Sequence, residues 1–402
     1  MWAIVCHNTS RPTRARGPDA ARLHSVQHQT YSRRAVLKYL ALGIGAQPIL
    51  SACSRLRGAR APLALDTRRL AKVLVSRERV IRHVVGLRPF RRSGFNVSIA
   101  QLGDKAIIHN YGHGGGGISL SWGTADLALQ HALATTHRDV AVLGCGAVGL
   151  ATARLLQDHG FTVTIYARDL PPNTTSNTAG ASWAPVTVVD PERRTAAFDE
   201  QFVRASRFAF RYFQNLVSPS YGVSWRETYV LSESPMTGPT SVNALIADFR
   251  PPIVSLSPGD HPFASLHASR TLTMHIEPSI YLSAILRDYR AANGRIVVQG
   301  LADAKSAVEL PHALIVNCTG MGAAALFNDP EMLPIKGQLV VLAPQDDVDY
   351  ITVGPGDLYM MPRQDGIILG GTHERGEWSL EPSPAEVARI MSGHQNLFAR
   401  MS

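Results

Sequence analysis

Val142-Leu143-Gly144-Cys145-Gly146-Ala147-Val148-Gly149 is a Gly-x-Gly-x-x-Gly turn set between an apolar strand and a helix. The strand reads from Asp139 to Leu143, the helix from Leu150 to His159, and a second strand from Phe161 to Ala167, with Asp169 just beyond it. In such a turn the first glycine makes the bend, the second lets the backbone approach a pyrophosphate, and the third admits close helix packing. The acid after the second strand can bind a ribose hydroxyl. The segment is half of a mononucleotide-binding unit. A dinucleotide is therefore expected against Gly144, Cys145, Gly146, Ala147, Val148 and Gly149.

Downstream, Pro185 to Met274 is irregular, aromatic and proline-rich, with helical spacing only around Ala197 to Leu216, and reads as part of another domain. A helix from Ser279 to Ala292 and strands at Arg295 to Val298 and Ala313 to Asn317 return to the nucleotide-binding pattern. Gln338 to Leu342, Leu358 to Met361 and Gly366 to Leu369 read as short strands of the second domain. Upstream, Thr67 to Val85 mixes helix and strand signals, and Phe95 to Asn110 reads as two strands around Gly103-Asp104. A glycine-dense loop then leads to a helix read from Thr124 to Ala134, whose unpaired N-terminal N–H groups attract negative charge. NAD and FAD share the first loop. Val316-Asn317-Cys318-Thr319-Gly320, a strand ending in small residues, lets a backbone pass close to the far side of FAD, and the pieces together favour that cofactor.

The net charge of +9 is not spread evenly. Residues 1 to 64 carry ten Lys/Arg and one Asp, and the remaining 338 carry thirty of each sign, so the body is neutral and nucleic acid is not an expected partner. The basic head, with Ser32-Arg33-Arg34-Ala35-Val36-Leu37-Lys38, an apolar run from Tyr39 to Leu50 and then Ser51-Ala52-Cys53, looks like a twin-arginine export signal ending in a lipobox. Export of the folded protein to the periplasm or the outer face of the membrane is expected, with a lipid on Cys53 as the only membrane attachment; an unmodified, unreactive Cys53 is the other reading. Cys145 and Cys318 lie in apolar strand-to-loop stretches and no structural disulfide is expected.

Several separated motifs together resemble the FAD-dependent D-amino acid oxidase family, which includes D-aspartate oxidases. They are Tyr166-Ala167-Arg168-Asp169 running into Pro172-Asn173-Thr174-Thr175-Ser176-Asn177 and Ala179-Gly180-Ala181-Ser182-Trp183; Val316 to Gly320; Lys336-Gly337-Gln338; Leu369-Gly370-Gly371-Thr372 with Trp378; Gly86-Leu87-Arg88-Pro89; and His109-Asn110-Tyr111-Gly112-His113-Gly114-Gly115-Gly116-Gly117. They span most of residues 66 to 402. In the family the last two motifs follow the Trp378-type segment, whereas here they precede the dinucleotide fingerprint, so the sequence reads as circularly permuted. The family's last helix would run through Thr135-Thr136-His137 into its first strand, with a new chain end after a helix near Pro384 to Phe398.

The resemblance implies an α/β fold: a split Rossmann-type FAD-binding domain plus an α+β substrate domain with a mixed, largely antiparallel sheet. The implied division is 1–53 signal segment, 54–65 linker, 66–88 substrate-domain piece, 89–190 FAD-binding domain, 191–276 substrate domain, 277–335 FAD-binding domain and 336–402 substrate domain. Arg88 is implied as the clamp for the substrate carboxylate, Tyr359 as a second carboxylate ligand, and the Gly115 carbonyl as acceptor for the substrate amine. FAD contacts are implied at Arg168 or Asp169, whose order inverts the family's, at Thr174, Thr175, Ser176, Gly180, Ala181 and Ser182, and at Gly114, Gly116, Gly117, Ile118 and Ser119. There the glycines would let the backbone touch the flavin, and the helix N-terminus would stabilise its reduced form. His113 is expected to pack or fix the loop rather than act as a base. No metal is expected.

The implied reaction takes the α-hydrogen of a D-amino acid as hydride to flavin N5, giving an imino acid and then a 2-oxo acid and ammonia, with oxygen reoxidising the flavin to give hydrogen peroxide. A glycine- or sarcosine-type amine oxidase, or a dehydrogenase feeding a membrane acceptor, would use the same parts; a catalytically idle flavin protein would not need both Arg88 and Tyr359. His373, with Arg375 two residues on, stands where D-aspartate oxidases carry an arginine, and leaves the substrate side chain open between neutral and acidic.

Overall fold

The computed structural model describes residues 70–180, 182–235, 242–264 and 266–402, so the expected leader, the linker, Cys53 and Ala181 lie outside the described residues. In chain order the elements are β1 (Val80–Arg91), β2 (Asn96–Leu102), β3 (Lys105–Tyr111), α1 (Gly117–Leu133), β4 (Asp139–Leu143), α2 (Ala147–Asp158), β5 (Thr162–Ala167), α3 (Ala196–Asn215), β6 (Val223–Ser232), β7 (Val254–Leu256) and β8 (His267–Ile276). They continue with α4 (Pro278–Ala291), β9 (Arg295–Val298), α5 (Ala304–Val308), β10 (Leu314–Asn317), α6 (Gly322–Leu326), β11 (Met332–Leu342), β12 (Ile351–Val353), β13 (Tyr359–Arg363), β14 (Gly366–Gly370), β15 (Glu374–Arg375) and α7 (Pro384–Ala399).

Six strands form one sheet in the order β2-β3-β10-β4-β5-β9, parallel except for the edge strand β2. Its central strands are apolar on both faces, as a covered parallel sheet requires. Alternate residues go to opposite sides: Val140 and Val142 join the core under α1, α2, α3 and α4, whereas Ala141 and Leu143 meet Ala307 and Leu310 on the other. Helix α1 begins at Gly117, seven residues before the apolar spacing places it and one residue before Ile118, near which the resemblance places its start. Twelve of its seventeen residues are buried, because it is covered by both α2 and α3 and needs no polar stripe. At Gly123 a Cβ would lie 1.8 Å from the Ala205 carbonyl oxygen of α3, so a glycine is what lets the two helices cross there.

The second sheet has nine strands in the order β1-β11-β14-β13-β12-β6-β8-β7, with β15 also paired to β11. All its pairings are antiparallel except β12 with β6. Val340, Leu342, Met360, Ile367 and Leu369 pack towards Ile390, Met391 and Phe398 of α7. Their neighbours Leu339, Val341, Met361 and Ile368, with Val84 and Tyr359, form the opposite face. The chain is thus α/β with two sheets, one a parallel nucleotide-binding type and one mixed and largely antiparallel.

Two readings of the sequence need correction. Residues 185 to 274 are not irregular outside one helix: β6 and β8 pair antiparallel along their full lengths, from Val223 with Ile276 to Ser232 with His267. Arg226, Glu227, Thr228 and Arg270 interrupt the apolar alternation, and the pairing sets Arg270 Nη1 3.0 Å from Glu227 Oε1 across the ladder. The described part of Thr67 to Val85 holds one short 3-10 turn, Arg77–Arg79, before β1 takes over and continues through Arg88 to Arg91.

Candidate active site

The fingerprint turn has the geometry its residues call for. Gly144 has φ +103°, and a Cβ on it would lie 2.6 Å from the Cys318 carbonyl oxygen. Position 149 would set a Cβ 2.1 Å from the Gly144 carbonyl oxygen, so Gly149 is what seats α2 on the turn. Gly146 is extended, carries no capping side chain, and would meet only Ser176 within 4 Å. Ala147 N–H donates to Ser176 Oγ at 2.9 Å. The first turn of α2 therefore presents N–H groups with no partner inside the helix, one of them met by the Ser176 hydroxyl. These residues fit the pyrophosphate of FAD. Cys145 is buried, and burial pushes its thiol up to about 12, as it does for Cys318, so both stay neutral; both are free.

At the carboxyl end of β5, Arg168 Nε and Asp169 Oδ2 form an exposed pair 2.8 Å apart, which leaves either side chain available to a ribose. Thr174 Oγ1 donates to Asn177 Oδ1 at 2.8 Å, and Thr175 opens the 3-10 turn Thr175–Thr178. This segment lies on the second sheet. A Cβ on Gly86 would fall on the Thr178 hydroxyl, Arg363 Nη1 donates to the Ala179 carbonyl at 3.2 Å, and the Cβ direction of Gly180 points at the Tyr359 ring 3.2 Å away. Ser182 accepts from Ser119 Oγ through its carbonyl at 3.3 Å, which joins the same loop to the first turn of α1 beside Ile118.

The glycine cluster before α1 has a physical reason other than the flavin for three of its members. A Cβ on Gly114 would lie 2.0 Å from the Thr187 carbonyl oxygen, on Gly115 2.7 Å from that of Val186, and on Gly116 2.8 Å from Val188 Cγ1. The chain crossing at 186 to 188 demands the small residues, and Gly115 N–H donates to Thr187 O at 3.2 Å. Gly117 alone is open, with nothing nearer than His113 Cβ at 3.9 Å. His113 is 2% exposed, stacks on Phe95 at 5.5 Å and pairs with Thr124 Oγ1 at 2.9 Å. Burial pushes its pKa down to about 3, so it is a neutral loop-fixing group.

Arg88 and Tyr359 come together on the inner face of the second sheet, although 271 positions separate them in sequence. Two glycines form the floor beneath them. A Cβ on Gly337 of β11 would lie 2.6 Å from Arg88 Nη1 and Nη2, and one on Gly370 of β14 would lie 2.1 Å from Tyr359 Cζ. Arg88 Nη1 donates to the Thr372 carbonyl at 3.1 Å. Desolvation raises the Tyr359 phenol pKa, and the Arg88 guanidinium beside it opposes that rise. The phenol remains a neutral donor next to a fixed cation.

His373 stands nearby. Burial and Arg88 lower its pKa, and Asp357, whose Oδ2 is 3.4 Å from Nδ1, opposes them. Arg375 is instead engaged by Asp190, with Nη2 2.8 Å from Oδ1, and lies over the Phe90 ring at 4.8 Å. Two further residues behind the site carry no motif in the sequence: Arg389 and His394 of α7, which bond the carbonyls of Gly356, Gly371 and Tyr359.

The FAD dependent oxidoreductase family (DAO) matches residues 139–401, and the chain belongs to that family. It is accordingly an FAD-dependent oxidoreductase. It is 30% identical over 254 residues to the D-amino-acid oxidase of Rubrobacter xylanophilus, covering 62% of this chain and 74% of that one. With the D-amino-acid oxidase of Streptomyces coelicolor the identity is 30% over 262 residues, covering 63% and 75%. Among solved structures, glycine oxidase from Bacillus cereus has a TM-score of 0.49 at 14% identity, covering 65% of this chain and 78% of that one.

Proposed function

We propose that this chain oxidises the amine carbon of a D-amino acid to an imino acid, which water converts to a 2-oxo acid and ammonia. The observation that carries the reading is the Arg88 and Tyr359 pair laid over Gly337 and Gly370, facing the loop at Gly180. A guanidinium and a neutral phenol side by side match a carboxylate: the planar fork can donate two parallel hydrogen bonds and the hydroxyl a third. Bound FAD would supply the two-electron acceptor for the α-hydrogen. The protein's own part is to hold the carboxylate so that the Cα–H points at the cofactor, and to accept the amine at the Gly115 carbonyl. No general base is needed, because positioning supplies the catalysis, and His113, neutral and committed to Thr124, offers none.

The test is anaerobic. Purified protein containing FAD is mixed with D- and L-amino acids while the visible flavin band is followed. Bleaching by D- but not L-substrates supports the reading, and yellow protein that none of them bleaches refutes it. The proposed electron acceptor is oxygen, so substrate-dependent oxygen uptake yielding hydrogen peroxide should follow; bleached flavin that stays reduced in air would require another acceptor.

The motif order supports a circular permutation. Counted along the parallel sheet, β9-β5-β4-β10-β3 is the winding 3-2-1-4-5 of a doubly wound fold, except that the fifth strand precedes the first in sequence. Helix α1 after it feeds straight into β4, and the family match begins at residue 139, where β4 starts. The twin-arginine leader supports export with a lipid on Cys53. Cell fractionation of the wild type and of Cys53→Ser, with the variant expected to leave the membrane fraction, tests that reading.

A further inference from the structure

We propose that Arg389 is the positioning residue of the carboxylate clamp, setting the gap between Arg88 and Tyr359 from the far side of the sheet. The inference rests on the reading of those two residues as the substrate's carboxylate ligands. Arg389 sits on α7, across the second sheet from the clamp, and is no part of the family motifs. Its guanidinium bridges two carbonyls on separate strand ends: Nη1 donates to Gly356 at 3.0 Å and Nη2 to Gly371. Its Nε is held by Glu386 at 2.8 Å.

Each of those carbonyls leads to one half of the clamp. Gly371 precedes Thr372, whose carbonyl accepts from Arg88 Nη1. Gly356 lies in the tight turn closed by Gly354 N–H to Leu358 O at 2.7 Å, directly before Tyr359. The two segments touch: a Cβ on Gly371 would lie 3.0 Å from Leu358 Cδ2 and 3.6 Å from the Asp357 carbonyl oxygen. The same helix also packs Gly393 against Leu358 and places His394 Nε2 3.1 Å from the Tyr359 carbonyl oxygen. One helix therefore holds the backbone of Tyr359 and the backbone next to Thr372, whose carbonyl accepts from the Arg88 guanidinium, and Arg389 is the group that joins the two segments.

Only a planar fork can do this, since a lysine ammonium at the same place reaches one carbonyl without fixing the other. Arg389→Lys keeps the charge and removes the bridge. Two measurements are made on the FAD-containing protein. One is anaerobic bleaching against D-alanine concentration, which separates the apparent dissociation constant from the limiting rate. The other is calorimetric binding of pyruvate, which carries the same carboxylate and no transferable hydrogen. The expected result is weakening of both ligands by about fivefold, the size of one or two ordinary hydrogen bonds, with the limiting bleaching rate within twofold and FAD content unchanged. If Arg389→Lys does not fold, Glu386→Gln loosens the same guanidinium through Nε and should give a smaller change of the same kind. Unchanged binding of D-alanine and pyruvate in a folded variant, or a fall in limiting rate at constant affinity, overturns the inference while wild-type bleaching keeps the functional reading. A wild type that no D-amino acid bleaches overturns both.

Discussion

Gly337→Ala tests the clamp at its floor. The new methyl carbon would stand 2.6 Å from both terminal nitrogens of Arg88 and 2.7 Å from Cζ, about 1 Å inside the ~3.5–4.0 Å separation at which such atoms rest. Gly337 is not among the residues with positive φ, so alanine suits the backbone. The atoms in the way are the end of a flexible side chain, and Arg88 rather than β11 must yield. A retreat of about 1 Å detaches the guanidinium from Thr372 O and from the substrate carboxylate. A charge-assisted hydrogen bond is worth roughly 1.5–3 kcal/mol, and at about 1.4 kcal/mol per decade the apparent dissociation constant for D-alanine should rise roughly ten- to hundredfold. Anaerobic flavin bleaching at graded D-alanine measures it, with flavin absorbance per protein as the check that the cofactor site is intact. A variant that retains FAD and binds D-alanine within twofold of the wild type would refute the assignment of Arg88.

Tyr359→Phe removes one neutral donor and leaves Arg88, so substrate affinity should fall about three- to tenfold, with the limiting bleaching rate little changed; a lost limiting rate at unchanged affinity would speak against a carboxylate role. Gly149→Ala drives a Cβ to 2.1 Å from the Gly144 carbonyl oxygen, backbone against backbone. The expected result is protein purified with little FAD and an unfolding midpoint lowered by the roughly 1–3 kcal/mol cost of overpacking. Acid should destabilise the fold through His113 and His394, whose pKa values burial pushes down to about 3 and about 4. The unfolded chain protonates near pH 6.5 and the folded chain does not, so this stability is complete above pH 6.5 and is lost as pH falls towards the folded values. At pH 5 the loss is about 2 kcal/mol for each histidine. Urea unfolding at pH 7, 6 and 5 measures it, and His113→Gln should flatten the slope.

The nucleotide half was legible because its signals are local. The turn from Gly144 to Gly149 needs glycines for reasons within a few residues of itself, and β4, β5 and β9 are short apolar runs bounded by polar residues that cannot be buried. The second sheet was legible only in its apolar strands, β11, β13 and β14. Strands β6 and β8 carry charges whose partners lie across the ladder, so no periodicity within either strand announces them. The glycines at 114 to 116 were visible but their cause was not, because the atoms that exclude a side chain, two carbonyls and the Val188 side chain, belong to residues 186 to 188. Arg375 looked available for a substrate carboxylate until folding gave it Asp190 and Phe90.

By itself, then, the sequence determined what short-range sterics and periodicity can specify, a dinucleotide turn and a parallel sheet around it, while the family resemblance pointed to Arg88 and Tyr359 as the proposed carboxylate ligands. Only the tertiary structure decided which of those residues meet. Arg88, Gly337, Tyr359, Gly370 and Arg389 belong to four strands and a helix spread over some three hundred positions, and their arrangement depends on strand register and on which face each side chain takes. Those are properties of pairing between distant segments, and a shift of one residue in any pairing would turn the clamp to the opposite side of the sheet.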